Sequence, residues 1–173
     1  FDYNKTIKFI VSHLNIREAV AEDIPSIHHL LMELAEFERI LDSVESTLES
    51  TRNALFGDNP SAKAIVAVEN NEIIGTAIFF FNYSTFVGKK GLYLEDIIIS
   101  PKYRNKGVGT KMMIELARCA VKYDCGRMEW TVLDWNNRAI EFYQKIGANI
   151  MNDWRLVRMN AEAIKKLSNL GID

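Results

Sequence analysis

The sequence has 173 residues, of which 48% are hydrophobic and 25% are charged, and this is enough apolar material for the core of one globular domain. A formal net charge of −2 provides no overall basic field of the kind that nucleic-acid-binding proteins carry, so nucleic acid is not an expected partner. The apolar runs are too short to cross a bilayer and the N-terminus lacks a secretory pattern, so we expect a cytoplasmic protein with no membrane partner.

The N-terminal part begins with a stretch that has no sustained hydrophobic period. We therefore predict that residues 1–14 form a peripheral extension of a single domain that covers 15–173. A short strand is predicted over 16–19. A helix follows, with Asp23 as its N-cap and Pro25 in its first turn.

The middle of the sequence contains a clear hairpin pattern. After a second predicted helix over 47–55, the segment "AKAIVAVENNEIIGTAIFFF" has two apolar runs separated by Asn70 and Asn71. Asparagine tolerates the positive φ of a tight turn. The segment therefore predicts an antiparallel hairpin.

The remaining elements alternate between strand and helix patterns, with an amphipathic helix predicted over 109–123 and a C-terminal helix at the end. Three further segments are strand candidates and one is a short helix that Gly147 closes: the strands "LYLEDIII", "RMEWTVLDW" and "DWRLVRMN", and the helix "NNRAIEFYQKIG". The predicted order is β-α-α-β-β-β-α-β-α-β-α, which places the chain in the α/β class. Cys119 and Cys125 have no further ligands at metal-site spacing, so we expect reduced, partly buried thiols and no metal site.

A glycine-rich turn connects "LYLEDIII" to the helix over 109–123. Gly107 and Gly109 remove side chains where the backbone enters the helix, so N–H groups without an intrahelical partner can converge on a ligand. The helix dipole and the side chains of Arg104, Lys106 and Lys111 favour an anion there. The spacing fits neither a Walker loop nor a dinucleotide fingerprint. The short pattern alone also allows a plain strand-to-helix connection with solvated lysines.

Two further features are candidates for proton transfer. Glu95 and Asp96 are adjacent in a predicted strand, so alternation sends them to opposite sides and only one faces a given cleft. A pair of surface carboxylates on an edge strand is the alternative. Tyr143 lies on the short helix, where its phenol, with an ordinary pKa near ~10, keeps its proton at neutral pH. A ring that packs in the core is the alternative for this tyrosine.

The arrangement of Arg104, Gly107 and Gly109 as R-x-x-G-x-G, after a strand and before a helix, resembles the acyl-coenzyme A motif of the GCN5-related N-acetyltransferase (GNAT) superfamily. The segments "LAEFE", "FNYSTFVGKKGLYLEDI" and "VLDWNNRAIEFYQKIGA" resemble its diamine acetyltransferase branch. This resemblance covers about 16–159. It implies the GNAT fold, a central, mixed, mostly antiparallel sheet that is splayed at the cofactor strand and flanked by helices.

The same resemblance implies a reaction that transfers acetyl from acetyl-coenzyme A to an amine. An alkyl ammonium, with a pKa near ~10.4, has no lone pair for attack until a base removes a proton. Glu95 is the implied base, acting through water, and Tyr143 is the implied general acid. The implied cofactor-binding residues are Ile97, Ile98, Ile99, Arg104, Asn105, Lys106, Gly107, Val108, Gly109, Thr110, Asn136, Asn137, Arg138, Ala139 and Tyr143.

Substrate choice is implied by the loop that follows the hairpin. The spermidine enzyme of this branch has an aspartate where this chain has Ser84 and Thr85, which resemble the thialysine enzymes instead. The expected acceptor is therefore thialysine or a lysine-like amino acid, and a homodimer is implied. Spermidine/spermine N-acetyltransfer, acetylation of protein amines and a non-catalytic acyl-coenzyme A binding domain remain alternatives. The implied substrate-binding residues are Phe37, Glu38, Ser84, Thr85, Glu95, Asp96, Glu129, Trp130, Thr131 and Leu133.

Overall fold

The computed structural model describes residues 14–171, so all but the last residue of the predicted extension lies outside the described part. The chain divides into two compact units, the first ending at Thr131 and the second beginning at Val132. A single domain over 15–173 stays a prediction, and each unit is described by itself.

The first unit is built on one five-stranded sheet. Its strands follow one another in chain order across the sheet, and each neighbouring pair is antiparallel except the last, which is parallel. The predicted mixed, mostly antiparallel sheet is therefore confirmed. The strands are β1 (Asn15–Glu18), β2 (Lys63–Glu69), β3 (Glu72–Ser84), β4 (Lys89–Ile99) and β5 (Arg127–Glu129).

Strands β2 and β3 form the predicted hairpin. Asn70 and Asn71 connect them with φ values of 51° and 63°, the left-handed conformation that a two-residue hairpin turn requires. The asparagine pair therefore fixes the register in which β2 and β3 meet.

Strands β4 and β5 pair over only a short part of the length of β4. Strand β5 pairs with β4 at Gly91, Leu92 and Tyr93, and in the described part of the chain no strand pairs with Leu94–Ile99 on that side. Strand β5 is therefore shorter than the strand that was predicted for the segment "RMEWTVLDW". The sheet opens at this position, because β4 continues beyond the end of its parallel partner.

Among the described residues, the first unit has three α-helices: α1 (Ile24–Phe37), α2 (Leu48–Phe56) and α3 (Val108–Lys122). Asp23 is the N-cap residue of α1, as predicted, but its side chain does not cap the helix. Its carboxylate instead accepts hydrogen bonds from Arg17, at 2.6 and 2.9 Å, and from the Val20 N–H at 2.9 Å. Thr47 caps α2 by accepting from the Ser50 N–H at 3.1 Å.

The helices cover both faces of the sheet. A Cβ added at Gly75 would lie 3.3 Å from Met112 Sδ of α3, whereas Ile78 packs against the core cluster that contains Ile24 and Ile27 of α1. Gly75 and Ile78 are three residues apart in β3, so they face opposite sides of the sheet. Helix α3 therefore covers one face and α1 the other.

In the second unit, the part of the chain up to residue 171 has two α-helices, α4 (Asn137–Lys145) and α5 (Ala161–Ser168). Asn136 caps α4 by accepting from the Ala139 N–H at 3.2 Å. The predicted end of this helix at Gly147 is confirmed, because the next residue, Ala148, donates its N–H to Tyr143 O at 3.0 Å.

The prediction of a last strand at "DWRLVRMN" is wrong. This segment contains no strand, and Trp154, Leu156 and Val157 are 74%, 68% and 85% exposed. The apolar pattern suits a strand, but a strand needs a neighbour that pairs with its backbone. No such neighbour exists for this segment within residues 14–171.

Cys119 and Cys125 are free, half-buried thiols, as expected. Burial raises the pKa of both. Among the helices of residues 14–171, none has the length and apolar character needed to cross a bilayer.

Candidate active site

The start of α3 has the geometry of an anion cradle. Gly107 is the N-cap residue, with φ of 81°, and a Cβ added there would meet no atom within 4 Å. No side chain caps this helix. The N–H groups of Val108, Gly109 and Thr110 have no acceptor within the helix because of helical geometry. The positive φ and the absence of a side chain therefore leave room for a ligand beside these amides.

The loop before this helix is fixed to neighbouring elements by its own side chains. Arg104 Nε donates to Ile99 O, the last carbonyl of β4, at 2.9 Å, and the Arg104 guanidinium lies 5.4 Å from the centre of the Phe37 ring. Asn105 has a φ of 63°. The Lys106 ammonium lies 5.1 Å from the Tyr103 ring. The basic residues of the loop therefore have defined positions.

Strand β4 contains two adjacent acidic residues, Glu95 and Asp96, at an irregularity in its pairing with β3. The register of β4 against β3 shifts at Glu95, because Ile78 pairs with Asp96 whereas Phe79 pairs with Leu94. Such a bulge puts two residues of one strand opposite one residue of the other, and it interrupts the alternation of side chains. The bulge interrupts strict alternation at Glu95. Glu95 is exposed and Asp96 is half-buried, and the prediction that the two side chains point to opposite sides stays a prediction.

The charges of two other acidic residues act on Asp96. Burial, and then the charges of Glu95 and Glu38, raise the pKa of Asp96 to about 6. Burial also raises the pKa of Glu38, which follows the last residue of α1. The charges of Glu38 and Glu95 thus both act on Asp96, and the role of these three residues in binding a substrate stays a prediction. We refer to these three residues as the acidic cluster.

The turn between β3 and β4 contains two other predicted substrate residues. Ser84 is buried, and its Oγ accepts a hydrogen bond from the Val87 N–H at 3.3 Å. Thr85, the next residue, is exposed. The Ser84 hydroxyl therefore stabilises the turn, whereas the Thr85 side chain is accessible.

Glu129 of β5 has protein partners that sequence reasoning missed. Its Oε2 atom contacts Arg127 Nε at 2.8 Å and accepts from Asn82 Nδ2 at 3.3 Å. Asn82 is two residues before Ser84 in β3. Because alternate residues of a strand share one face, this spacing could have placed Asn82 on the same face as Ser84. Beyond β5, Trp130 is half-buried and Thr131 is exposed.

The remaining predicted residues belong to the second unit. Tyr143 of α4 is 7% exposed, and burial raises its pKa to about 12. Asn136 is the cap of α4, and Asn137, Arg138 and Ala139 form its first turn. Leu133, before this helix, is exposed. A phenol with this pKa keeps its proton at neutral pH.

Comparisons with known proteins agree with these features. The family model described as "Acetyltransferase (GNAT) family" matches residues 24–148. A thialysine N-epsilon-acetyltransferase of Bos taurus is 34% identical over 88% of this chain and 96% of its own length. An L-ornithine N5-acetyltransferase of Arabidopsis thaliana is 30% identical over 91% of this chain and 89% of its own length.

The fold has a counterpart among solved structures. An integron cassette protein from the mobile metagenome of V. cholerae superposes with a TM-score of 0.78 and 23% sequence identity. The similarity covers 92% of this chain and 100% of that one. The glycine-rich start of α3, the sheet that opens beside β4 and the family match lead to one conclusion: the chain belongs to the GNAT family of acetyltransferases.

Proposed function

We propose that the protein transfers the acetyl group of acetyl-coenzyme A to a primary amine of a small molecule, and that this acceptor is thialysine or another lysine-like amino acid. One observation carries the proposal. Strand β4 contains the acidic bulge at Glu95 and Asp96, and a short loop connects its end at Ile99 to the anion cradle at Gly107. A cationic acceptor and an anionic donor therefore have matching groups at one end of one strand.

The donor site fits the phosphates and the amides of coenzyme A. When bound, acetyl-coenzyme A supplies a thioester-activated acetyl group. The N–H groups of Val108, Gly109 and Thr110 would bind its pyrophosphate, and the charge of Lys106 favours an anion beside them. The backbone of Ile97–Ile99, which β5 does not pair with, would bind the pantetheine amides as an added strand does. Residues Asn136–Ala139 are the other proposed contacts.

The acceptor site is the acidic cluster. Carboxylates attract an ammonium group, and partial burial strengthens that attraction relative to bulk water. Asp96 and Glu38 would hold the amine, while Glu95 accepts its proton through water so that the nitrogen lone pair can attack. On the donor side of the reaction, the Tyr143 hydroxyl, which burial keeps protonated, would give a proton to the leaving sulfur.

The choice of an amino acid as acceptor has two supports. The bovine and Arabidopsis relatives are named for thialysine and L-ornithine, which are both amino acids with a side-chain amine. At the β3–β4 turn, this chain has the neutral residues Ser84 and Thr85, so a substrate carboxylate meets no fixed negative charge there.

The deciding experiment compares kcat/KM for thialysine, lysine, ornithine, spermidine, putrescine and a lysine peptide with acetyl-coenzyme A as donor. We expect thialysine or ornithine to rank first. A higher value for spermidine would favour the polyamine alternative, and a higher value for the peptide would favour protein acetylation. Coenzyme A binding without turnover of any amine would identify a non-catalytic binding domain.

A substitution in the β3–β4 turn tests how the amine is selected. Thr85→Asp adds a carboxylate at an exposed position, so it should shift the ratio of kcat/KM for thialysine over spermidine toward spermidine, and more strongly at low ionic strength. Thr85→Asn is the matched uncharged control. An identical ratio in the two variants would show that this turn does not select the acceptor by charge.

A further inference from the structure

Arg104 contacts the two elements that flank the candidate site in the first unit. Its Nε donates to the carbonyl oxygen of Ile99 at 2.9 Å, and this carbonyl ends β4. Its guanidinium lies 5.4 Å from the centre of the Phe37 ring, and Phe37 is the last residue of α1. One side chain therefore connects the loop of the anion cradle to both the sheet and the helix.

The end of α1 is also an edge of the acidic cluster. Glu38 follows Phe37 directly, and the negative charge of Glu38 acts on Asp96. The helix end is held by its own backbone, because the Glu38 N–H donates to Leu34 O and the Ile40 N–H donates to Ala35 O, both at 2.9 Å. A displacement of Phe37 would therefore be transmitted to Glu38.

We propose that Arg104 is a positioning residue that couples binding of the acetyl donor to binding of the amine acceptor through its contact with the Phe37 ring. The inference rests on the proposed function. Two contacts and one charge interaction carry it: Arg104 with the Ile99 carbonyl at the end of β4, Arg104 with the Phe37 ring, and the charge of Glu38 with Asp96. Ligands at the two ends of such a series each favour the arrangement in which all three interactions are made.

The chemistry of the two side chains requires arginine rather than a positive charge alone. A guanidinium is planar, stacks on an aromatic face and keeps an Nε–H available for a fixed hydrogen bond. A lysine at position 104 keeps the charge that attracts an anionic donor, but it cannot make both contacts at once. Arg104→Lys therefore separates attraction of the donor from positioning of α1.

The test measures the coupling itself. The dissociation constant of coenzyme A is determined by calorimetry, alone and with a saturating concentration of the amine that ranks first in the substrate comparison. By linkage, the ratio of the two constants equals the factor by which coenzyme A changes the affinity for the amine. We expect a ratio of roughly 5 or more in the unaltered protein, the lower end of typical allosteric couplings.

Four single substitutions and one double substitution identify the contact. Phe37→Leu and Arg104→Lys should each reduce the ratio to about 1, and their combination should reduce it no further because both remove one interaction. Phe37→Tyr keeps an aromatic ring and should keep the ratio. Tyr103→Phe is the control within the same loop, since it removes only a hydroxyl that donates to Glu72 at 2.9 Å. Thermal melts establish that each variant is folded.

Several results would overturn the inference. A ratio of 1 in the unaltered protein, an unchanged ratio in folded Phe37→Leu, or independent contributions from Phe37→Leu and Arg104→Lys would each do so. If the unaltered protein acetylates an amine but shows no coupling, only this inference fails. If it neither binds coenzyme A nor acetylates any amine in the comparison, the proposed function fails as well.

Discussion

At the scale of single residues, Tyr143 of α4 has a phenol whose pKa is raised above the ordinary value. Burial raises its pKa to about 12, so the phenol is protonated throughout the physiological range. A residue that donates a proton to a leaving thiolate needs this property. A tyrosine that only packs its ring would have it as well, so a kinetic experiment has to separate the two roles.

We predict that Tyr143→Phe keeps the fold while lowering kcat by roughly 10²- to 10⁴-fold, the usual scale of general acid catalysis. Phenylalanine keeps the ring and removes only the hydroxyl. Single-turnover kinetics measure the chemical step, and a coenzyme A titration checks that the donor site is intact. Wild-type turnover in an assay limited by chemistry would assign Tyr143 to packing alone.

The protonation state of Asp96 depends strongly on the fold. Its pKa of about 6 lies above the ordinary value near ~3.9, so the folded state binds this proton more tightly than the unfolded state does. Ionising Asp96 therefore reduces stability as pH rises from about 4 to about 6. The neighbouring charges of Glu95 and Glu38 add to the cost of burial.

We predict that Asp96→Asn gains stability over the original protein across this interval, by roughly 2 kcal/mol once pH exceeds 6. Denaturant unfolding of both proteins at pH 4.5 and pH 7.5 measures the difference. The same variant should have a lower kcat/KM for the amine at pH 7.5, because an ammonium loses a charge partner. A stability difference that does not vary with pH would contradict the assigned environment of Asp96.

At the scale of elements, the start of α3 depends on one backbone conformation. Gly107 has φ of 81° and open space around its missing Cβ. An alanine there would cost about 1–2 kcal/mol for the left-handed conformation. It would also put a methyl group where a phosphate approaches the amides.

We predict that Gly107→Ala weakens coenzyme A binding, as measured by calorimetry, by more than its loss of stability explains. Gly88→Ala is a matched control, because Gly88 has φ of 70° and open space at its Cβ as well, yet lies in the β3–β4 turn. The control should lose comparable stability and keep its affinity for coenzyme A. If the two variants bind coenzyme A with equal affinity, the anion cradle is not part of the donor site.

How much the sequence predicts depends on whether an element is fixed by local or by distant contacts. The Asn70–Asn71 turn and the cap at Thr47 are local, and both were predictable from a few neighbouring residues. The bulge at Glu95 exists only through the register with β3. Asp23 was placed correctly at its helix start, but its carboxylate bonds with Arg17, six residues earlier. Whether the Asp23 carboxylate caps the helix or pairs with Arg17 is decided by how the chain packs.

The same distinction explains the candidate site. The glycine spacing before α3 is a local signal, and it identified the cradle. The effect of the Glu38 charge on Asp96 requires the end of α1 to lie near β4, and hydrophobic periodicity cannot predict such a long-range arrangement. Only the family resemblance put Glu38 and Asp96 in one expected site. No sequence motif marks Asn82 as a partner of Glu129. Strand alternation could have placed Asn82 on the face of β3 that Ser84 shares.

At the scale of the whole molecule, we propose a homodimer, as the family resemblance implies. The dimer has a direct test. Light scattering at working concentration should give twice the mass of 19.8 kDa that one chain has. A mass of one chain across the concentration range of the kinetic assays would contradict the dimer.

The opening of the sheet beside β4 has a consequence for solubility. From Leu94 to Ile99, β4 is paired only by β3 among the described strands, and an unpaired row of backbone N–H and C=O groups is a template for adding a foreign strand. If a bound pantetheine arm occupies that row, it also prevents a strand of another molecule from pairing with this edge. Protein depleted of coenzyme A should then be the form that aggregates during storage, and the natural ligand its best stabilising additive.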